Sequence, residues 1–136
     1  MKDVVIVDSV RTGLAKAFRG SFNLTRSDDM LAHCIDALLD RNAAVAPDEV
    51  EDVYVGAASH AGEQDGNLAR LAVVLSRLPI TAGGVTINRF CSSGLQSIAM
   101  AANQSATGQT QVAIAGGVDS ISMRTRQEPG KAKQNK

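Results

Sequence analysis

The sequence has no tryptophan, one tyrosine and three phenylalanines, which disfavours an aromatic stacking platform for single-stranded nucleic acid. Neither sign of charge dominates, with Lys plus Arg and Asp plus Glu at 14 each. That balance removes both the basic footprint of a nucleic-acid binder and the acidic block of a solvating tail. Only two cysteines occur, Cys34 and Cys91. A disulfide scaffold of this size would need more, so a reducing compartment is expected. No apolar stretch approaches the length of a membrane span. Met1 leads straight into Val4-Val5-Ile6-Val7, without the longer apolar run and small-residue cleavage site of a secretory signal. A cytoplasmic protein with no nucleic-acid and no membrane partner is the expectation. Neither a phosphate-loop spacing nor a metal-ligand cluster is present, and Gly83-Gly84 and Gly116-Gly117 fit neither pattern. No metal and no permanently bound cofactor is therefore expected.

What is present is enough for one domain: 136 residues, 44% hydrophobic and 21% charged, a composition that builds a core. Four Val- and Ile-rich runs, at residues 3–9, 52–58, 84–90 and 111–118, read as strands. The first and last are apolar on both faces, as parallel strands covered by helices are. Between them lie helical patterns. Ser27 is placed to cap a helix with Leu31, Cys34, Ile35, Leu38 and Leu39 on one face, and Asp28 and Asp29 at its positive end. Asn67 is placed to cap a second, with Pro79 as its stop. A third runs from about Ser92 to Thr107, ended by Gly108. The βαβαβαβ order predicts an α/β fold with a mostly parallel sheet.

From Cys91 to Val118 there is no charged residue. Leu95, Ile98, Ala99 and Ala102 form one apolar face of the third helix, yet Met100, Ala101 and Ala106 look the other way. A surface helix shows a charged face; a helix apolar all round is buried all round. One sheet covers one side only, so a second cover is required. After Met123 the sequence turns polar and basic without periodicity, which predicts a domain over residues 1–123 and a disordered tail over 124–136.

Cys91 stands where a strand meets a helix. Free helix N–H groups and the macrodipole there favour a thiolate, and a sharp strand-to-helix turn presents a nucleophile to a cleft. Ser92 and Ser93 can cap the helix, and Gly94 leaves room for close packing. A small buried hydrophobe is the alternative use of such a cysteine. Cys34, on an apolar stripe, reads as packing, and His33 and His60 as surface histidines.

The stretch Asn88-Arg89-Phe90-Cys91-Ser92-Ser93-Gly94-Leu95-Gln96 resembles the nucleophile motif of thiolases, especially degradative 3-ketoacyl-CoA thiolases (acetyl-CoA C-acyltransferases). Collinear segments extend the likeness over residues 1–123: Val7-Asp8-Ser9-Val10-Arg11-Thr12, Ala17-Phe18-Arg19-Gly20, Gly62-Glu63-Gln64 with Asn67-Leu68-Ala69-Arg70, and Ala115-Gly116-Gly117-Val118-Asp119. The resemblance implies an incomplete N-terminal half of a five-layer αβαβα fold, with the third helix in the central layer. It implies that Cys91 takes an acyl group from 3-ketoacyl-CoA or acetyl-CoA as a thioester and yields it to CoA in lipid β-oxidation. Coenzyme A thioesters are then substrates. A homo-oligomer, or a chain supplying the missing half, is the expected partner. The family's Gly-His-Pro histidine, Asn-Glu-Ala asparagine and second cysteine have no counterpart here. Slow acylation of Cys91 is the most then expected of the chain alone. Arg89 is read as a structural hydrogen-bonding residue before a CoA-steering one. Two further readings stay open: a non-catalytic module that docks on a full-length thiolase, and a ketoacyl-synthase-like condensing enzyme.

Overall fold

The computed structural model describes residues 2–124. The elements follow the order α1 (Ser27–Arg41), β1 (Asp52–Gly56), α2 (Leu68–Leu75), β2 (Gly83–Ile87), α3 (Ser93–Ala106), β3 (Ala113–Gly117) and the short α4 (Ile121–Arg124). Single 3₁₀ turns at Pro47–Glu49 and Gly62–Gln64 interrupt the connections. The strands form one parallel sheet in the order β2-β1-β3, as the strand–helix alternation requires. The tail expected from residue 124 lies outside the described residues, apart from Arg124, which ends α4.

The register fixes which side chains share a face. Val53 lies opposite Gly84 and Ile114, and Val55 opposite Thr86 and Gly116. This face meets α1 and α2, and the core forms there from Leu31, Ile35, Leu39, Val53, Val55, Leu68, Val73 and their neighbours. Leu68, Ala69, Ala72 and Val73 of α2 are wholly buried, worth about 2 kcal/mol for each of the larger side chains. Asn67 caps α2 as expected, its Oδ1 accepting the Arg70 N–H at 3.0 Å. The helix ends at Leu75, before Pro79 is reached. There the Arg77 N–H donates to Asp36 Oδ1 of α1 (2.8 Å), and its guanidinium meets Asp40 at 2.6 Å. The chain thus leaves the helix to join α2 to α1.

Two expectations are corrected. Residues 3–9 form no strand. The segment does not pair with the outer edge of either β2 or β3, and it is instead held at its ends. The Lys2 N–H donates to the Ala106 carbonyl at the close of α3, and Asp8 pairs with Arg41 (2.8 Å) and accepts from Asn42 (2.9 Å) at the close of α1. Val5, Ile6 and Val7 stay more than 70% exposed. Strand propensity expresses fitness for a paired, half-buried surface, and without a ladder partner it has nothing to act on. Ser27 does not cap α1; Arg26 occupies that position. The Ser27 hydroxyl is drawn away to Glu63 Oε1 at 2.6 Å.

In α3 the structure settles which side meets the sheet. Its sheet-facing residues are Ser93, Ser97 and Ala101, all buried, while the larger Leu95 and Ile98 face outward, with Leu95 73% exposed. The cause lies in the opposite face of the sheet. Gly56 and Gly117 pair across β1 and β3, and a Cβ on Gly56 would come within 2.2 Å of the Ser93 carbonyl. Backbone therefore packs on backbone, and only small helix residues fit. Gly108, at φ 78, ends the helix region as expected. Beside Gly56 on this face, Tyr54 is almost wholly buried. Burial, with the Asp52 carboxylate beside it, pushes its hydroxyl pKa up.

Candidate active site

Cys91 lies on the turn between β2 and α3, and its residue is exposed. The turn is built by short-range hydrogen bonds. The Phe90 N–H donates to Asn88 Oδ1 (2.9 Å), and the Arg89 N–H to Ser93 Oγ (2.8 Å). The Ser93 hydroxyl in turn donates to the Phe90 carbonyl at 2.6 Å. Phe90 takes a positive φ of 48°, which reverses the chain sharply enough to place the next residue at the head of α3. Ser92 is the helix cap residue by position, with no side-chain cap bond, and the Ser93 hydroxyl serves the preceding turn and not a helix N–H, so the expected capping by the serine pair is not made.

The ends of β1 and β3 form the floor. The ladder continues one step past the strands, the Ala57 N–H donating to Ile87 and the Val118 N–H to Gly56, each at 3.0 Å. An open depression of about 370 Å³ lies over this floor, lined by Cys91, Phe90, Gly94, Ile98, Gly117 and Asp119 among others. Its small, glycine-rich floor leaves the thiol reachable.

Of the remaining candidates, none joins Cys91. His33 and His60 are exposed and do not line the depression. Cys34 is half-buried and lines a different cavity of about 380 Å³, between α1, residues 10–17 and the Val53 face of the sheet. Burial pushes the Cys34 thiol up, partly offset by a backbone hydrogen bond from Thr12. Its role as a packing residue stands. Arg89 donates to Gln96 Oε1, one turn along α3, so its guanidinium braces the helix start. Among the described residues no group of His, Cys, Asp and Glu side chains is placed to hold a metal, and no helix is long and apolar enough to cross a membrane.

Sequence reasoning missed Asp119 and Gln64 as parts of the site. Asp119 follows β3, and its carboxylate accepts the Ala58 N–H (2.9 Å) and the Ser59 N–H (3.3 Å). Gln64, wholly buried, donates to Asp119 Oδ1 (3.2 Å) and the Ser59 carbonyl (2.7 Å). The signal for Gln64 was an amide in a polar loop; nothing in its periodicity marks it as a core residue.

The chain matches the model of the thiolase N-terminal domain over residues 4–136. It is 43% identical over 122 residues to a beta-ketoadipyl-CoA thiolase of Pseudomonas putida, covering 90% of this chain and 30% of that protein. It is 42% identical over 119 residues to a 3-ketoacyl-CoA thiolase of Vibrio vulnificus, covering 88% of this chain and 31% of that one. A 3-ketoacyl-CoA thiolase of Vibrio cholerae is 40% identical over the same length and share. The chain thus spans about 30% of the length of these curated relatives.

Proposed function

The chain belongs to the thiolase family as an amino-terminal portion, and from that premise we propose that Cys91 is the nucleophile of an acyl transfer from a CoA thioester. The relatives named for 3-ketoacyl-CoA and beta-ketoadipyl-CoA support 3-ketoacyl-CoA thioesters as the substrate class. The Cys91 thiolate attacks the 3-keto carbon, and the bond between carbons 2 and 3 breaks. The acyl group stays on Cys91 as a thioester, and the departing carbanion takes a proton to become acetyl-CoA. Free CoA then attacks the thioester and leaves with the shortened acyl group, returning the thiolate.

One observation carries this reading: an exposed cysteine on the turn that leads from β2 into α3. The backbone N–H of Cys91 supplies one oxyanion donor. A base to generate the thiolate, and a donor for the departing enolate, are to come from a further stretch of polypeptide or a second chain. A homo-oligomer is one way to supply cover. The exposed Leu95 on the outer face of α3 also favours a second reading, a docking module that completes a partner without turning over itself.

Intact-mass measurement after incubation with acetyl-CoA and a 3-ketoacyl-CoA tests the proposal. An acyl adduct on the wild-type chain, absent from Cys91→Ala, is the expected result. An equal adduct on both proteins removes Cys91 from the role. No adduct on a folded wild-type chain leaves the docking module as the better description.

A further inference from the structure

The Cys91 turn is not held by local bonds alone. Asn88, whose Oδ1 accepts the Phe90 N–H (2.9 Å), also donates through Nδ2 to the Ala58 carbonyl (3.3 Å). The peptide group that carries this carbonyl gives its N–H, that of Ser59, to Asp119 Oδ1 (3.3 Å), and the Ala58 N–H on the other side goes to Asp119 Oδ2 (2.9 Å). A continuous line of hydrogen bonds therefore runs from a carboxylate after β3, through the loop after β1, to the residue before Cys91. No covalent segment shorter than a full crossover joins these three places.

From this we infer that Asp119 is a positioning residue for Cys91, acting through the Ala58 peptide and Asn88. Its carboxylate receives three donors, from Ala58, Ser59 and Gln64. Gln64 fixes it from behind. Both Gln64 amide hydrogens are used, and Gln64 Oε1 accepts the Ser120 N–H at 2.5 Å. A buried, fully engaged amide holds one rotamer and so holds what it touches. Asp119 also lines the depression that contains Cys91, yet its oxygens are aimed at fixed backbone and amide donors. That geometry suits a group that holds the site's shape and does not shuttle a proton. The inference rests on Cys91 being the nucleophile, but the line of bonds can be tested without any acyl transfer.

Residue-resolved amide exchange on the whole chain supplies the test, together with the rates at which iodoacetamide alkylates Cys91 and Cys34 in the same sample. Asn88→Ala frees the Phe90 amide, about tenfold faster in exchange, and leaves the Ala58 and Ser59 amides protected, because Asp119 still holds them. Asp119→Asn frees all three, and the double variant exchanges Phe90 no faster than the faster single one, as members of one line must. Asp119→Glu restores part of the protection. In both single variants the Cys91 alkylation rate changes at least about threefold while that of Cys34, in its separate cavity, does not. Should Asp119→Asn fail to fold, Asp119→Glu decides: faster Phe90 exchange than in the wild type supports the line, and unchanged Phe90 exchange in that folded variant overturns it. Unchanged Phe90 exchange in a folded Asn88→Ala or Asp119→Asn protein overturns the inference. So does acceleration shared equally with the α2 amides, or Cys91 and Cys34 changing together. A failed acyl-adduct experiment with the expected exchange pattern would instead overturn only the acyl-transfer reading.

Discussion

On one face of the sheet Val53, Val55 and Ile114 meet Leu31, Ile35, Leu68 and Val73 of α1 and α2. On the other, Gly56 meets Ser93 and Gly117 meets Gly94 at the start of α3, and the Ser97 hydroxyl donates to the Gly116 carbonyl. The first face trades in buried apolar area; the second trades in closeness of backbones. They do different work. Area supplies most of the free energy of folding and tolerates some change of shape. Closeness supplies little of that energy, but it fixes the height and angle at which α3, and with it Cys91, leaves the sheet. The acyl transfer proposed for Cys91 would need the second kind of packing, since small misplacements of reacting atoms cost rate steeply.

The largest effect that separates the faces is expected from Leu68→Ala, which empties a wholly buried position and costs about 3 kcal/mol in urea unfolding. A loss well below 1 kcal/mol would mean that the α1–α2 face is not the main source of stability. Next comes Gly56→Ala. Its methyl group meets the Ser93 carbonyl, backbone that has nowhere to yield, and about 2 kcal/mol of stability is lost with a shift of α3. Here the mark of the closeness face is a changed Cys91 alkylation rate accompanying the loss; a change in stability alone would erase the distinction. The smallest is Leu95→Ser on the outward side of α3, within about 0.5 kcal/mol in unfolding because Leu95 is 73% exposed. Sedimentation should show this variant less self-associated than wild type, since an apolar patch open to water promotes association. A large loss of stability would show Leu95 to be core after all.

Much of this arrangement was legible in the residues. The three paired strands fall within two or three residues of the runs that predicted them, because Val and Ile clusters bounded by turn residues are a short-range signal. The Asn67 cap and the Gly108 stop were equally local. So was the position of Cys91 between strand and helix. The uncharged run from Cys91 to Val118 announced that α3 wanted two covers. It did not say which side the sheet takes, since that depends on glycines facing it from β1 and β3. Residues 3–9 failed because propensity does not record long-range contacts, and the ends of this segment go to α3 and α1 without entering the sheet. Ser27 failed because the helix begins one residue earlier than its cap role requires, with Arg26 in the cap position and Ser27 already in the first turn, bonded to Glu63 far along the chain. The line from Asp119 to Asn88 was also invisible. Its links join residues separated by a whole helix or more, and no periodicity records them.

Phe90 carries one more consequence. A residue with a Cβ at φ 48 sits above its conformational minimum by about 1–2 kcal/mol, and its ring, 77% exposed, recovers nothing by burial. The turn before Cys91 is thus a local debt of free energy left open toward solvent. A surface that settles over α3 and takes in the ring settles that debt. Thermodynamic linkage then makes the relation mutual: whatever factor the ready-made turn adds to the affinity for a cover, the cover adds to the population of the ready-made turn. Assembly over α3 and sharpness of the nucleophile's position are, on these terms, two readings of a single equilibrium.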